Sequence, residues 1–93
     1  MRVKVELRGP LAWLAKRDEL ALDIGEGASL LDALRTLCEK MPELHGVIFD
    51  PDTGDPRTNF LILLNGRDVD VLGGLGARLG EGDVITLVPL VRI

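Results

Sequence analysis

Val3, Val5 and Leu7 alternate with Arg2, Lys4, Glu6 and Arg8 at the start of the chain, the period-2 pattern of a strand that buries one face. Gly9-Pro10 interrupts the alternation, and Leu11 to Arg17 reads as a connection carrying Trp13. Leu20, Leu22 and Ile24 then alternate with Glu19, Ala21 and Asp23, which predicts a second strand paired with the first as a hairpin. After the turn Gly25-Glu26-Gly27 the period changes. Leu30, Leu31, Leu34, Leu37, Cys38 and Met41 share one side of a 3.6-residue spiral, while Asp32, Arg35, Glu39 and Lys40 fall mostly elsewhere. Ser29 stands where an N-cap belongs, Asp32 three residues on offers a weak capping box, and Pro42 lacks the N–H that another turn needs. A helix is therefore predicted from Leu30 to Met41, stopped by Pro42, and because an isolated helix of this length is marginal in water, its leucine stripe needs a sheet to cover.

Asp50 to Pro56 is dense in turn residues and is predicted to be an exposed loop. The apolar run Phe60 to Leu64 follows as a strand, with Asn65-Gly66 as a tight reversal into a short segment, Arg67 to Val71. Gly73-Gly74-Leu75-Gly76 and the turn Glu81-Gly82-Asp83 precede a last strand, Val84 to Val91. The order β-β-α-β-β-β, with the first and last strands free to pair in parallel at the centre, predicts an α+β fold of the ubiquitin-like β-grasp kind. That fold is a mixed sheet of about five strands with one main helix on one face. A ferredoxin-like arrangement would need a second helix, and the other stretch available, Leu11 to Glu19, is short and without a clean helical period. At 93 residues the chain is expected to form a single domain over 1–93.

Composition narrows the function classes. Apolar residues make up 46% of the chain, yet the aromatic residues are only Trp13, Phe49 and Phe60, so aliphatic side chains must fill the core. A formal charge of −4, with basic residues scattered along the chain, argues against a nucleic-acid partner. No apolar run approaches the roughly 20 residues that span a bilayer, and Met1 leads straight into strand-like sequence, so no membrane partner and a cytoplasmic location are expected. Cys38 has no second cysteine to pair with, and its place beside the helical stripe suits a small hydrophobe.

Candidate chemistry is thin. Asp50, Asp52 and Asp55 invite a calcium loop, but Asp55 and Leu61 occupy the positions where an EF-hand needs glycine and glutamate, which favours a solvated turn. Cys38 and His45 would need an orienting group and an oxyanion site before they formed a catalytic dyad. Gly73 to Gly80 lacks both the GxGxxG pattern and a Lys followed by Ser or Thr. No convergent acid, base and nucleophile emerges, so the expectation is a chain that is not an enzyme, with no catalytic residues, no metal site and no bound cofactor. The strands carry more information: in Leu61 to Leu64 and Val84 to Val91 both alternating positions are apolar, although a sheet covered by one helix needs only one set for its core. The surplus is expected to form a partner-docking surface, unless Trp13 or the segment Glu43 to Thr58 covers it.

Several segments together resemble one family. Leu64-Asn65-Gly66-Arg67-Asp68-Val69, Leu72-Gly73-Gly74-Leu75, Leu79-Gly80-Glu81-Gly82-Asp83-Val84 and Leu87-Val88-Pro89 resemble the C-terminal half of MoaD/ThiS-like sulfur carriers, including archaeal MoaD-like proteins and the small subunit of molybdopterin synthase. Gly25 to Leu34 is similar to the strand-turn-helix junction of the same family. By resemblance to ubiquitin-like proteins, Ile62, Leu64, Ile85 and Leu87 should face the helix, leaving Leu61, Leu63, Thr86, Val88 and Leu90 toward a partner. The family implies a carrier or modifier whose C-terminal carboxylate is activated by an adenylating enzyme that uses ATP. It also implies a receiving protein like the molybdopterin synthase large subunit, for a role in molybdenum cofactor biosynthesis.

Carriers of this family end in Gly-Gly, because a side chain would obstruct a tail threading a narrow tunnel. In the alignment that begins at Pro89, Val91, Arg92 and Ile93 occupy the tail, with Ile93 in the place of the first glycine. Cleavage at Gly73-Gly74 would expose such a pair but remove the last strand. Two expectations follow: a carrier whose native tail extends past Ile93, or a carrier-dead β-grasp binding module that docks a partner or self-associates through its open sheet face and last strand.

Overall fold

The computed structural model describes residues 1–90. Five strands form one mixed sheet in the spatial order β2-β1-β5-β3-β4. They are β1 (Arg2–Leu7), β2 (Glu19–Asp23), β3 (Phe60–Leu64), β4 (Arg67–Asp68) and β5 (Val84–Pro89). β1 pairs antiparallel with β2 and parallel with β5, and β5 pairs antiparallel with β3. The expected β-grasp is thus formed, with the first and last strands side by side at its centre.

The register explains the two faces. Val5 lies opposite Ile85 and Leu7 opposite Leu87, while Ile62 and Leu64 lie opposite Leu87 and Ile85 across the other edge of β5. All six are buried, and with Val3, Leu20 and Leu22 they make the sheet's half of the core. The other half comes from the main helix, α2 (Leu30–Lys40). Its N-terminus is closed by the full capping box: the Asp32 N–H donates to Ser29 Oγ at 3.2 Å, and the Ser29 N–H donates to Asp32 Oδ2 at 2.9 Å. The buried stripe is Leu30, Ala33, Leu34, Leu37 and Cys38. Leu31, expected on that stripe, is half-buried instead; Ala33 takes the inward position.

Two stretches expected as connections are helical. Pro10–Ala15 forms α1 between the paired strands β1 and β2. Pro10 serves as a first-turn residue, where its fixed φ and missing N–H cost nothing, while Leu11 and Ala15, one turn apart, enter the core. After α2, a 3-10 turn at Pro42–Leu44 leads into α3 (His45–Ile48), and both Leu44 and Ile48 are fully buried. These residues join the core on the α2 side, so this segment plugs the helical layer. Pro56, in the stretch expected to be exposed, is buried as well.

The loop up to β3 is held by Arg57, whose guanidinium contacts Asp55 Oδ2 at 2.8 Å and Asp70 Oδ1 at 2.9 Å. That pairing keeps the Asp55 carboxyl below its ordinary range, chiefly through the hydrogen bond. Asn65 and Gly66 both take positive φ in the reversal from β3 to β4, the combination a two-residue hairpin turn requires. The segment expected to run on to Val71 keeps only Arg67–Asp68 in the sheet; Val69–Leu72 turns into a 3-10 helix.

Candidate functional site

The face of the sheet away from α2 divides in two. On β3 and β5 it presents Leu61, Leu63, Val84 and Val88, all half-buried. On β1 and β2 the corresponding positions are Arg2, Lys4, Glu6, Glu19, Ala21 and Asp23. Thr86 sits on the seam, 9% exposed, and its hydroxyl donates to Glu6 Oε1 at 2.9 Å. Glu6 in turn faces Lys4 Nζ at 3.9 Å and an Arg8 nitrogen at 3.5 Å, while Lys4 also reaches Glu19 at 3.6 Å. These are largely exposed pairs, each worth little to stability, and they leave a laterally patterned surface: apolar toward β3, charged toward β2.

Every residue expected to face the helix does so, and Leu61, Leu63, Thr86 and Val88 lie together on the opposite side. Neither proposed cover lies over them in the expected way. Trp13 is 79% exposed, and Leu44 and Ile48, the fully buried residues of the segment after α2, lie in elements that pack with the helices. Leu90, 46% exposed, continues from the end of β5, where its N–H donates to the Asn59 carbonyl at 2.9 Å. Val91, Arg92 and Ile93 lie outside the described residues.

The end of β5 is locked from the α1 side. Gly9 adopts φ 56° and ψ −129°, and a Cβ placed on it would lie 3.0 Å from Pro89 Cγ. Only glycine suits both the backbone and the space. The Gly9 carbonyl accepts the Trp13 backbone N–H at 3.1 Å, so α1 begins against the end of β5. In the sequence Gly9-Pro10 reads as a simple break; the signal for more is the Gly-Pro pair followed by two apolar residues four apart, Leu11 and Ala15.

The remaining candidates separate. Cys38 and His45 line one shallow recess with Arg35 and Glu39, but no hydrogen bond joins them. Burial pushes the Cys38 thiol up to about 11, leaving it protonated at neutral pH and a poor nucleophile. Asp50 Oδ1 accepts the N–H groups of Asp52 and Thr53, and Asp55 is engaged with Arg57, so these carboxylates shape their own loop. Gly73, at positive φ, separates two 3-10 turns, and Gly74, also at positive φ, opens the second of them. No helix among the described residues is long and apolar enough to cross a membrane.

The model of the ThiS family matches residues 5–92. No curated protein sequence matches the chain. Among solved structures, SAMP1 from Haloferax volcanii is 27% identical and superposes with a TM-score of 0.87 over 100% of this chain and 99% of that one. The small archaeal modifier protein 1 of Methanosarcina acetivorans is 34% identical, with a TM-score of 0.82 over 99% of this chain and 95% of that one. A putative molybdopterin converting factor subunit 1 from Pyrococcus furiosus is 26% identical, with a TM-score of 0.75 over 98% and 99% of the two chains. A central parallel β1-β5 pair, a capped helix across one face and a family match over nearly the whole length lead to one conclusion: the chain belongs to the ThiS family of ubiquitin-like sulfur carriers and modifiers, whose members are carriers rather than catalysts.

Proposed function

We propose that this protein works through its C-terminus, as a carrier or modifier that an adenylating enzyme activates with ATP. The observation that carries the reading is the position of β5. It is hydrogen-bonded on both sides and ends at Pro89, and Leu90, the residue after it, lies at the rim of the half-apolar face. In the reaction proposed, the terminal carboxylate attacks the α-phosphorus of ATP, forming an acyl-adenylate and releasing pyrophosphate. A sulfide-level nucleophile then displaces AMP and leaves a thiocarboxylate. Leu61, Leu63 and Val88, with Thr86 and Leu90 beside them, are the docking surface for the enzyme and for the protein that receives the tail. The likeness to a molybdopterin converting factor subunit favours a receiver of the molybdopterin synthase large-subunit type.

Intact-mass spectrometry of the protein purified from its own host, with tandem sequencing of the C-terminal peptide, tests the reading. A tail ending in Gly-Gly, or a thiocarboxylate in place of the carboxylate, is the expected result. An unmodified terminus at Ile93 would overturn the carrier chemistry and leave a binding module acting through the open sheet face.

A further inference from the structure

Trp13 is the only tryptophan of the chain, and 79% of it is exposed. This is not a core residue left outside by chance. Leu11 and Ala15 fix the register of α1 by entering the core, and Trp13, two residues from each, falls on the opposite side of the helix. Turning the indole inward would pull both out. Its mounting is rigid as well: the Trp13 N–H is held by the Gly9 carbonyl at 3.1 Å, the Arg17 N–H reaches the Ala12 carbonyl at 3.2 Å, and Lys16 closes the helix at φ 57°. Ala12, Trp13, Leu14 and Lys16 line one shallow apolar recess.

Charge sets this corner apart. From Arg8 to Asp18 the chain carries three cations against one carboxylate, in a protein of net charge −4. Lys16 and Arg17 are exposed, and neither forms an ion pair among the described residues. The corner also adjoins the end of β5, since Gly9 packs against Pro89.

We propose that Trp13, flanked by Lys16 and Arg17, is a second anchor for the adenylating enzyme, seated in an apolar pocket bordered by carboxylates. The inference rests on the proposed function and adds a contact outside the sheet face. A partner that takes the chain beyond Leu90 has to approach this rim, and a rigid exposed tryptophan beside unpaired cations is the residue type that dominates such interfaces. A second copy of the chain is disfavoured, because a two-fold contact would set like charges against each other. A lone indole with two cations is a marginal membrane anchor.

The test is calorimetric titration of the host's adenylating enzyme with the wild-type protein, Trp13→Ala, and the double variant Lys16→Glu with Arg17→Glu. Trp13→Ala is expected to keep the wild-type unfolding midpoint and to weaken binding roughly tenfold or more. The charge reversal should weaken binding most at low salt and flatten its salt dependence. Equal binding by wild type and Trp13→Ala would overturn this inference while leaving the proposed function intact. No binding by the wild type would overturn the proposed function, and the inference with it. Two further results would overturn the inference in favour of another occupant: wild-type mass in light scattering that doubles with concentration and reverts in Trp13→Ala, or Trp13-dependent capture by phosphatidylserine-containing vesicles.

Discussion

Replacing Gly9 by alanine isolates the lock between α1 and the end of β5. Two costs add. At φ 56° and ψ −129° a residue with a Cβ is strained, which costs about 1 to 3 kcal/mol. The new methyl carbon would also meet Pro89 Cγ at 3.0 Å, forcing a ring that is tied into the sheet to yield by a few tenths of an ångström. Against this stands a gain of about 0.4 to 1 kcal/mol from the stiffer unfolded chain. The net expectation is a loss of about 2 kcal/mol, which for a domain of this size lowers the melting midpoint by about 10 °C. Urea unfolding followed by far-ultraviolet circular dichroism measures it; Trp13 fluorescence is a poor probe, because the indole is already exposed in the native state. Pro89→Ala in the same background separates the two terms: it should recover the part due to the contact and leave the backbone strain. A Gly9→Ala protein within about 0.5 kcal/mol of wild type would refute the lock, since strain and contact would then both be absent.

Three other expectations follow from the same structure. Ser29→Ala removes one half of the capping box and should cost about 1 kcal/mol in urea unfolding, with Ser29→Gly costing less. Cys38, whose thiol is raised to about 11 by burial, holds its proton more tightly folded than unfolded; its contribution is full below about pH 9 and lost as pH rises toward 11, so Cys38→Ala should flatten the alkaline fall in stability. Leu63→Arg places a cation opposite Asp68 in the β3-β4 register; it should leave the fold intact and abolish co-elution with the adenylating enzyme in light-scattering chromatography, and an unchanged complex would remove Leu63 from the docking surface.

What was legible in the sequence was local. Period-2 alternation placed β1 and β2, the Asn65-Gly66 pair placed the β3 reversal, and Ser29 with Asp32 placed the start of α2 within the residue. Doubled apolar positions in β3 and β5 marked strands with two faces to account for, and the resemblance supplied which face was which. Short helices escaped because one turn holds too few residues for a period: Leu11 with Ala15, and Leu44 with Ile48, each make a single i, i+4 pair. Leu31 was misplaced for a different reason. Leu30 and Leu31 are adjacent and cannot both face the sheet, and the turn of the helix that buries Ala33 fits the small side chain close to the strands while leaving Leu31 beside Phe49 and Leu75. The lock at the end of β5 was illegible, because the Gly9-Pro89 contact joins residues 80 positions apart, visible only once β1 and β5 lie in parallel.

That contact also bears on what a partner is able to do with the tail. β5 is held by β1 on one side and β3 on the other, and two of its residues, Ile85 and Leu87, are completely buried. A force on the chain end therefore meets two ladders and the core before β5 moves, and the last described hydrogen bond in its path is Leu90 N–H to the Asn59 carbonyl. The same argument disposes of cleavage at Gly73-Gly74, which would cut away the strand on which both ladders depend. A carrier needs its reactive end free and its fold undisturbed while an enzyme grips it. In the proposed role one strand serves two ends, because alternate residues point in opposite directions: Ile85 and Leu87 hold the core, while Thr86 and Val88 lie on the face proposed for docking. Changes at Val88 or Leu63 should thus alter recognition, and changes at Leu87 should unfold the protein before recognition is tested.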